Sequence, residues 1–155
     1  MSGSAGQDAR IVVGVDGSEA SKSALRWAAL QAGFTGAALQ AVIAWEYPAF
    51  YGWAPAAPDD TDLGKAAEGL LDQAIDEVFG ADRPARLATT VVCRYPGMAL
   101  VEASEGAQLL VVGSRGHGAF ADALLGSVST YCVHHAHCPV TVIRPVQHKH
   151  RHGDG

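Results

Sequence analysis

Short apolar runs alternate with longer amphipathic segments along most of the chain. The runs are rich in Val, Leu and Ile and end at glycine or polar residues, a pattern typical of strands that are buried on both faces. We therefore predict five strands, at 10–16, 39–45, 87–93, 109–113 and 139–144.

The segments between these strands predict four helices. Their apolar residues recur at helical spacing, and capping residues mark several of their ends. Ser18 is a typical N-cap, Pro96 suits the first turn of a helix, and Gly80 suits a helix end. The predicted helices run from Ser18 to near Gly33, over 63–79, from Pro96 to near Gly106, and over 124–136.

The alternation of strands and helices indicates an α/β fold. Strands joined by helices run parallel with right-handed crossovers, so we predict an open, doubly wound sheet with helices on both faces. Ligands of such sheets bind beyond the carboxyl ends of the strands. A chain of 155 residues, 48% of them hydrophobic, is enough for one core, and we expect one domain over 10–146. We expect residues 1–9 to be flexible and the His-rich tail, 147–155, to be disordered.

A segment rich in proline and aromatic residues, 47–58, has neither helical nor alternating periodicity. It directly follows the second predicted strand. A long loop of this kind either covers a functional site or packs its own aromatic side chains on the surface, and both interpretations stay open.

Charge and cysteine usage narrow the function classes. The formal net charge is −5 and the 11 Lys and Arg residues are scattered, so we expect no nucleic-acid partner, which would need clustered cations. A small anionic ligand needs only a few local donors. We expect a cytoplasmic protein with no membrane partner. The three cysteines are unevenly spaced, the N-terminal stretch has no signal-peptide pattern, and no segment has about 18 consecutive apolar residues.

The most informative segment, 112–129, lies between the fourth strand and the last helix. Its glycines let the backbone turn sharply and bring N–H groups against an anion; they are Gly113, Gly116, Gly118 and Gly126. Ser127 and Ser129 add hydroxyl donors at the helix start, where unpaired amides and the helix dipole attract negative charge. The arrangement indicates a polyphosphate site, whereas glycines alone are equally typical of tight turns.

The spacing Gly113-x2-Gly116-x9-Gly126-Ser127 matches the signature Gly-x2-Gly-x9-Gly-Ser/Thr, and on it the chain resembles the ATP-binding branch of the universal stress proteins. The resemblance extends from Val-Val-Gly-Val-Asp16 to Cys-Pro-Val-Thr-Val-Ile-Arg144, nearly the whole chain. It implies the adenine nucleotide α-hydrolase-like fold, a five-stranded parallel sheet of order 3-2-1-4-5, with ATP and Mg²⁺ across the first and fourth strands. It also implies a homodimer that pairs through the last strand, Val140 to Arg144.

The resemblance assigns binding roles to individual residues. Asp16 would face the adenosine, Gly14 and Val15 would line the base and ribose, and Ala44 would give the adenine an apolar bed. The triphosphate-binding positions of the family correspond to Gly113, Arg115, Gly116, Gly118, Gly126, Ser127, Val128 and Ser129, and Val112, Ser114 and His117 belong to the same loop. On the residues alone, Asp16 could instead be a turn or N-cap residue ahead of Ser18, and His117 could simply face water. Arg115 could be a solvated cation, but a positive charge within a glycine loop of an acidic chain favours contact with phosphate.

Three other motifs compete with this interpretation. The stretch 116–121 fits the dinucleotide fingerprint Gly-x-Gly-x-x-Ala, but it does not follow the first strand and has no acidic residue about 20 positions later. The stretch 17–23 lacks the glycine that a P-loop needs before Lys22, so an exposed helix face is favoured. The stretch 132–138 holds two thiols and three imidazoles, which suggests zinc. Because it should straddle a helix end and a strand start, we favour core cysteines and histidines at the helix C-terminus.

These observations favour an ATP-binding regulator of the stress response. The alternative is an enzyme, a slow ATPase or a self-phosphorylating protein with Ser127 or Ser129 as the acceptor. A dinucleotide-binding protein and a nucleotide-free scaffold are less favoured. The regulator is favoured because the pattern supplies groups that position phosphates but no catalytic base aimed at an attacking water. We therefore name no catalytic residue and no metal-ligating residue.

Overall fold

Five parallel strands form one sheet in the computed structural model of the chain, which describes residues 9–47, 60–116 and 125–145. The strands are β1 (Arg10–Gly14), β2 (Ala38–Trp45), β3 (Leu87–Cys93), β4 (Leu109–Gly113) and β5 (Val140–Ile143). Their order is β3-β2-β1-β4-β5, so the central strand β1 pairs with both β2 and β4. The predicted doubly wound α/β sheet of order 3-2-1-4-5 is confirmed.

Within the described parts of the chain, four helices connect the strands: α1 (Glu19–Thr35), α2 (Asp60–Phe79), α3 (Pro96–Ala103) and α4 (Ser127–His135). Ser18 caps α1 as predicted, because its side chain accepts a hydrogen bond from the Ser21 amide. The helix ends at Gly36, which has a φ of 77° and whose N–H bonds to the Ala32 carbonyl. Gly33 was the wrong choice for this end, since a left-handed C-cap position selects Gly36 while Gly33 stays helical.

Each face of the sheet has its own apolar core. Under α1 and α2 the core includes Val13, Leu25, Ile43, Leu71 and Ile75, all at most 3% exposed. Each such side chain contributes about 1.5–3 kcal/mol by leaving water. The core under α3 and α4 is smaller and is built from Val12, Val42, Leu100, Leu110, Val112 and Cys132. Both cores leave the carboxyl ends of β1 and β4 open between them.

Several sequence expectations fall outside the described residues. They concern the flexible N-terminus up to residue 8, residues 48–58 of the predicted loop, His117 and Gly118, and the His-rich tail. Among the described helices, none is both long enough and apolar enough to span a bilayer.

Candidate functional site

A cleft of about 760 Å³ opens at the carboxyl ends of the central strands. It lies where the chain turns from β1 toward α1 and from β4 toward α4, the switch point at which doubly wound sheets bind ligands. Most of the residues assigned from the sequence line it: Gly14, Val15, Asp16, Ala44, Val112, Gly113, Arg115, Gly116, Gly126, Ser127, Val128 and Ser129. Residues far apart in sequence are therefore brought together as the sequence predicted.

Asp16 occupies a fixed position at the end of β1. Its carboxylate accepts a hydrogen bond of 2.9 Å from the Ser18 amide, and its own amide donates to the Ser21 hydroxyl at 3.2 Å. The turn interpretation is therefore correct for this residue, and the same carboxylate also lines the cleft. A Cβ atom at position 116 would meet a terminal oxygen of that carboxylate, so a larger residue there must displace either the Asp16 side chain or the β4 loop.

Gly113 lets β4 pack directly on the first turn of α1. A Cβ atom at position 113 would lie 2.7 Å from the Ala20 carbonyl carbon and 2.9 Å from the Ser21 amide nitrogen. Both distances are too short for any residue with a side chain. This packing covers the first turn of α1, where Ala20 and Ser21 are buried.

Ser114 has a structural position behind the cleft. It is 3% exposed and does not line the cleft, unlike the rest of the described loop. Its amide donates to the Ile143 carbonyl at 2.7 Å, and its carbonyl accepts from the Gly126 amide at 2.7 Å. Ser114 therefore ties the β4 loop to the end of β5 and to the start of α4.

The start of α4 is open toward the cleft. Gly126 is its N-cap, and a glycine has no side chain that could form a capping hydrogen bond. The first-turn amides belong to Ser127, Val128 and Ser129, and all three residues line the cleft. An uncapped helix start carries unpaired N–H donors and a partial positive charge, so this end of the cleft is suited to an anion.

The two serines of this turn are not equivalent. Ser127 is exposed, whereas Ser129 is 2% exposed and its hydroxyl lies 3.0 Å from the Ser114 carbonyl and 3.1 Å from the Gly126 carbonyl. Since a hydroxyl has one proton, Ser129 directs that proton to the protein backbone. Ser129 lines the cleft, but its hydroxyl holds the β4 loop against the helix.

The sequence profile described as "Universal stress protein family" matches residues 9–144. The chain belongs to the universal stress protein family. A universal stress protein of Mycobacterium tuberculosis is 36% identical over 137 residues, covering 86% of this chain and 47% of that protein. One of Mycobacterium bovis is 35% identical over 160 residues, covering 90% of this chain and 50% of that protein. The chain thus spans about half the length of the curated relatives it matches.

Solved structures agree with the family assignment. The universal stress protein UspA of Lactobacillus plantarum has a TM-score of 0.66 and 25% identity, with 88% of this chain and 97% of that chain covered. A universal stress protein crystallised in complex with cAMP has a TM-score of 0.65 and 28% identity, with 89% and 98% covered. The sheet order is that of the adenine nucleotide α-hydrolase-like fold.

The universal stress protein cleft also contains residues that sequence reasoning missed. Val42 and Leu100 complete an apolar floor beside Ala44 and Val112, and Ser18 and Ser21 border Asp16. A further wall consists of Tyr95, Pro96, Thr130, Tyr131, His134 and His135. The sequence signal that could have revealed the α4 residues of this wall is their helical spacing, which places them on one face of the helix at 127, 130, 131, 134 and 135.

The run from Cys132 to Cys138 does not converge on one point. Cys132 is fully buried, and burial, with a smaller effect of Cys138, raises the pKa of its thiol to about 11. His137 instead lies at the surface, where its Nδ1 is 2.8 Å from the Glu105 carboxylate. Within 9–47, 60–116 and 125–145, no group of three His, Cys, Asp or Glu side chains is arranged to hold a metal ion.

Proposed function

We propose that this chain binds ATP, accompanied by Mg²⁺, and acts as a nucleotide-dependent regulator in the cytoplasmic stress response. The observation that carries the proposal is the uncapped start of α4 opposite the glycine-rich end of β4. Charge-assisted hydrogen bonds from backbone amides are among the strongest that a protein offers a phosphate. Arg115, which lines the same end of the cleft, adds a fixed positive charge.

The rest of the cleft suits an adenosine. Val42, Ala44, Leu100 and Val112 present apolar surface on which a base can lie, and the Asp16 carboxylate offers an acceptor for ribose hydroxyls. A universal stress protein of similar fold has been crystallised with cAMP, which supports an adenine nucleotide as the ligand here. Mg²⁺ would be held through the phosphate oxygens, because the described residues contain no group of metal ligands.

The regulator is favoured over an enzyme by the chemistry of the cleft wall. The Asp16 carboxylate is engaged by the Ser18 amide, and the Ser129 hydroxyl is engaged by two backbone carbonyls. Asp16 is thus a weak candidate for a base, and Ser129 a weak candidate for a phosphoryl acceptor. We expect hydrolysis to be slow and nucleotide occupancy to be the signal.

Calorimetric titration of the nucleotide-stripped protein tests this function. ATP, AMP and NAD are titrated separately in the presence of magnesium, and released phosphate is measured in parallel. ATP binding with little phosphate release supports the regulator, whereas rapid release supports an ATPase. Stronger binding of NAD, or no binding of ATP, contradicts the proposal.

We further propose that two copies pair through β5. This strand lies at the edge of the sheet, and its four residues are all only partly buried, so one side of its backbone is available for pairing. Val142→Lys should weaken such a dimer, and Thr141→Lys tests the opposite face of the strand. Unchanged sedimentation coefficients in both variants, with unchanged melting temperatures, would contradict this interface.

A further inference from the structure

One face of α4 extends the cleft beyond the glycine motif. Ser127, Thr130, Tyr131, His134 and His135 recur at helical spacing and all line the cleft. The opposite face of the helix, with Val128, Ser129 and Cys132, packs toward the sheet. A continuous strip therefore leads from the open helix start to a group of aromatic and imidazole rings.

The rings of this strip are packed against one another in a defined arrangement. The ring centroids of Tyr131 and His135 are 4.2 Å apart with an interplanar angle of 34°. Tyr95, from the residue before α3, meets Tyr131 edge to face at 5.4 Å. Offset and edge-to-face contacts of this kind are favourable for aromatic rings and restrict their rotation.

Gly97 makes this ring arrangement possible. A Cβ atom at position 97 would lie 2.7 Å from Tyr95 Cε2 and 2.8 Å from Tyr131 Cγ. Both rings therefore rest directly on the backbone of the first turn of α3. The nucleotide motif requires neither Gly97 nor the rings, since the phosphate-binding positions lie on the β4 loop and the start of α4.

We propose that Tyr95, Tyr131 and His135 form a second base-binding subsite, and that the ligand class it selects is a dinucleoside polyphosphate. This inference rests on the proposed nucleotide function of the cleft. One base would lie on the apolar floor at Val42 and Ala44, the phosphates at the start of α4, and the second base on the ring group. A mononucleotide would occupy only the first two of these positions.

The dimensions and chemistry of the strip fit this ligand. With a helix rise of about 1.5 Å per residue, Tyr131 lies about 6 Å and His135 about 12 Å along the axis from Ser127. A polyphosphate chain can span that separation. Stacking of a base on an aromatic side chain is sequence-tolerant and contributes substantially to binding, and a stiff tyrosine ring loses little entropy when it binds. His135, in the last turn of α4, adds a polarisable imidazole to the same platform.

Calorimetry with ATP and diadenosine tetraphosphate tests the subsite in the 155-residue chain. The wild type should bind diadenosine tetraphosphate about ten-fold more tightly than ATP, the contribution expected of one stacked base. Tyr131→Ala and His135→Ala should each reduce this ratio and leave ATP affinity unchanged, and Tyr131→Phe should preserve it. Val133→Ala is the matched control, because Val133 is exposed on the same helix but does not line the cleft.

The outcomes separate this inference from the function on which it rests. Failure of the wild type to bind either ligand overturns both proposals. Equal affinity for ATP and diadenosine tetraphosphate, or a ratio that Tyr131→Ala and His135→Ala leave unchanged, overturns the second subsite while ATP binding still stands. The ring resonances of Tyr131 and His135 give a second readout, since they should shift with diadenosine tetraphosphate and not with ATP.

Discussion

The helices α1 and α4 both begin beside the cleft, and their first turns are completed in different ways. At the start of α1 the Ser18 side chain accepts a hydrogen bond from the Ser21 amide, and the Asp16 carboxylate accepts one from the Ser18 amide. Gly113 packs directly on this turn. At the start of α4, Gly126 provides no capping side chain and the turn faces the cleft. The chain thus caps the start of α1 with its own side chains and leaves the start of α4 open toward the cleft.

This difference shows how helix starts at one sheet edge acquire different roles. A capped helix start stabilises the fold by about 1 kcal/mol and has fewer free donors for an anion. An uncapped start gives up that contribution, and its amides become available to bind phosphate. We therefore expect substitutions at α1 to change folding stability and substitutions at α4 to change nucleotide affinity.

The largest effect is expected from Gly116→Val. The new side chain would collide with the Asp16 carboxylate and occupy space at the cleft, so it must displace that carboxylate or the β4 loop. We expect ATP affinity to fall on the order of 100-fold, because several charge-assisted hydrogen bonds are lost together. Calorimetric titration measures this, with Gly33→Ala as the control, since no atom lies within 4 Å of that Cβ position. Unchanged ATP affinity in a folded Gly116→Val protein would refute the proposed phosphate site at the β4 loop and the start of α4.

The two serines of α4 should separate binding from stability. Ser127→Ala removes an exposed hydroxyl at the cleft and should lower ATP affinity about ten-fold with little change in the free energy of unfolding. Ser129→Ala removes the buried hydroxyl that bonds to Ser114 and Gly126 and should lower the free energy of unfolding by about 1 kcal/mol. Urea unfolding and calorimetry on both variants check the contrast, and the reverse assignment of effects would contradict it.

At the capped helix start, Ser18→Ala should act on stability. Loss of the side-chain acceptor for the Ser21 amide should reduce the free energy of unfolding by about 1 kcal/mol, measured in urea. We expect ATP affinity to change less than about three-fold, roughly 0.6 kcal/mol or below. Ser18→Asp should restore the stability, because aspartate is an equally good N-cap. A large loss of ATP affinity in Ser18→Ala would show that α1 also binds the ligand.

The smallest effect concerns an ion pair between α1 and α2, away from the cleft. Lys22 Nζ lies 2.5 Å from the Glu77 carboxylate, and this hydrogen bond lowers the pKa of Glu77 and raises that of Lys22. The stabilisation from the lowered Glu77 pKa is present above the ordinary value of 4.5 and is lost as the pH falls through the folded value. The raised Lys22 pKa works in the other direction, and its stabilisation is lost only as the pH rises above 10.5.

Glu77→Gln checks this pH dependence. The variant should be slightly less stable than the wild type at neutral pH, and the difference should vanish in acid, where the wild-type carboxyl is protonated. Urea unfolding at both pH values measures the difference, while ATP affinity should be the same in the two proteins. A stability difference that persists in acid would assign the effect to packing instead of charge.

The strands were predictable because their signal is local. The bounds of β3 and β4 match the apolar runs from which they were predicted, since each run is closed by polar residues or glycine. Helix ends were harder, because they depend on which nearby residue takes the cap conformation. Leu124 and Leu125 extend the apolar pattern, but α4 begins only at Ser127, after Gly126 as the N-cap.

The candidate site was likewise predictable only where its signal is local in the sequence. The glycine spacing identified the β4 loop and the start of α4, because the motif itself carries that information. Tyr95 and Tyr131 were missed, since their contact depends on how α3 packs against α4 and on the missing side chain at Gly97. The different positions of the Ser127 and Ser129 hydroxyls likewise depend on the Ser114 carbonyl, which no sequence spacing reveals.

An amide chemical-shift titration of the nucleotide-free protein with ATP and magnesium tests most directly whether the open start of α4 binds phosphate. We expect saturable shifts at the amides of Gly116, Ser127 and Val128, because these residues line the cleft at the proposed phosphate end. The amide resonances of Ser21 and Lys22 should not shift, because both amides already donate hydrogen bonds to Ser18. Shifts confined to the α1 amides, or no saturable shift at α4, would contradict the account of an open helix start that binds phosphate.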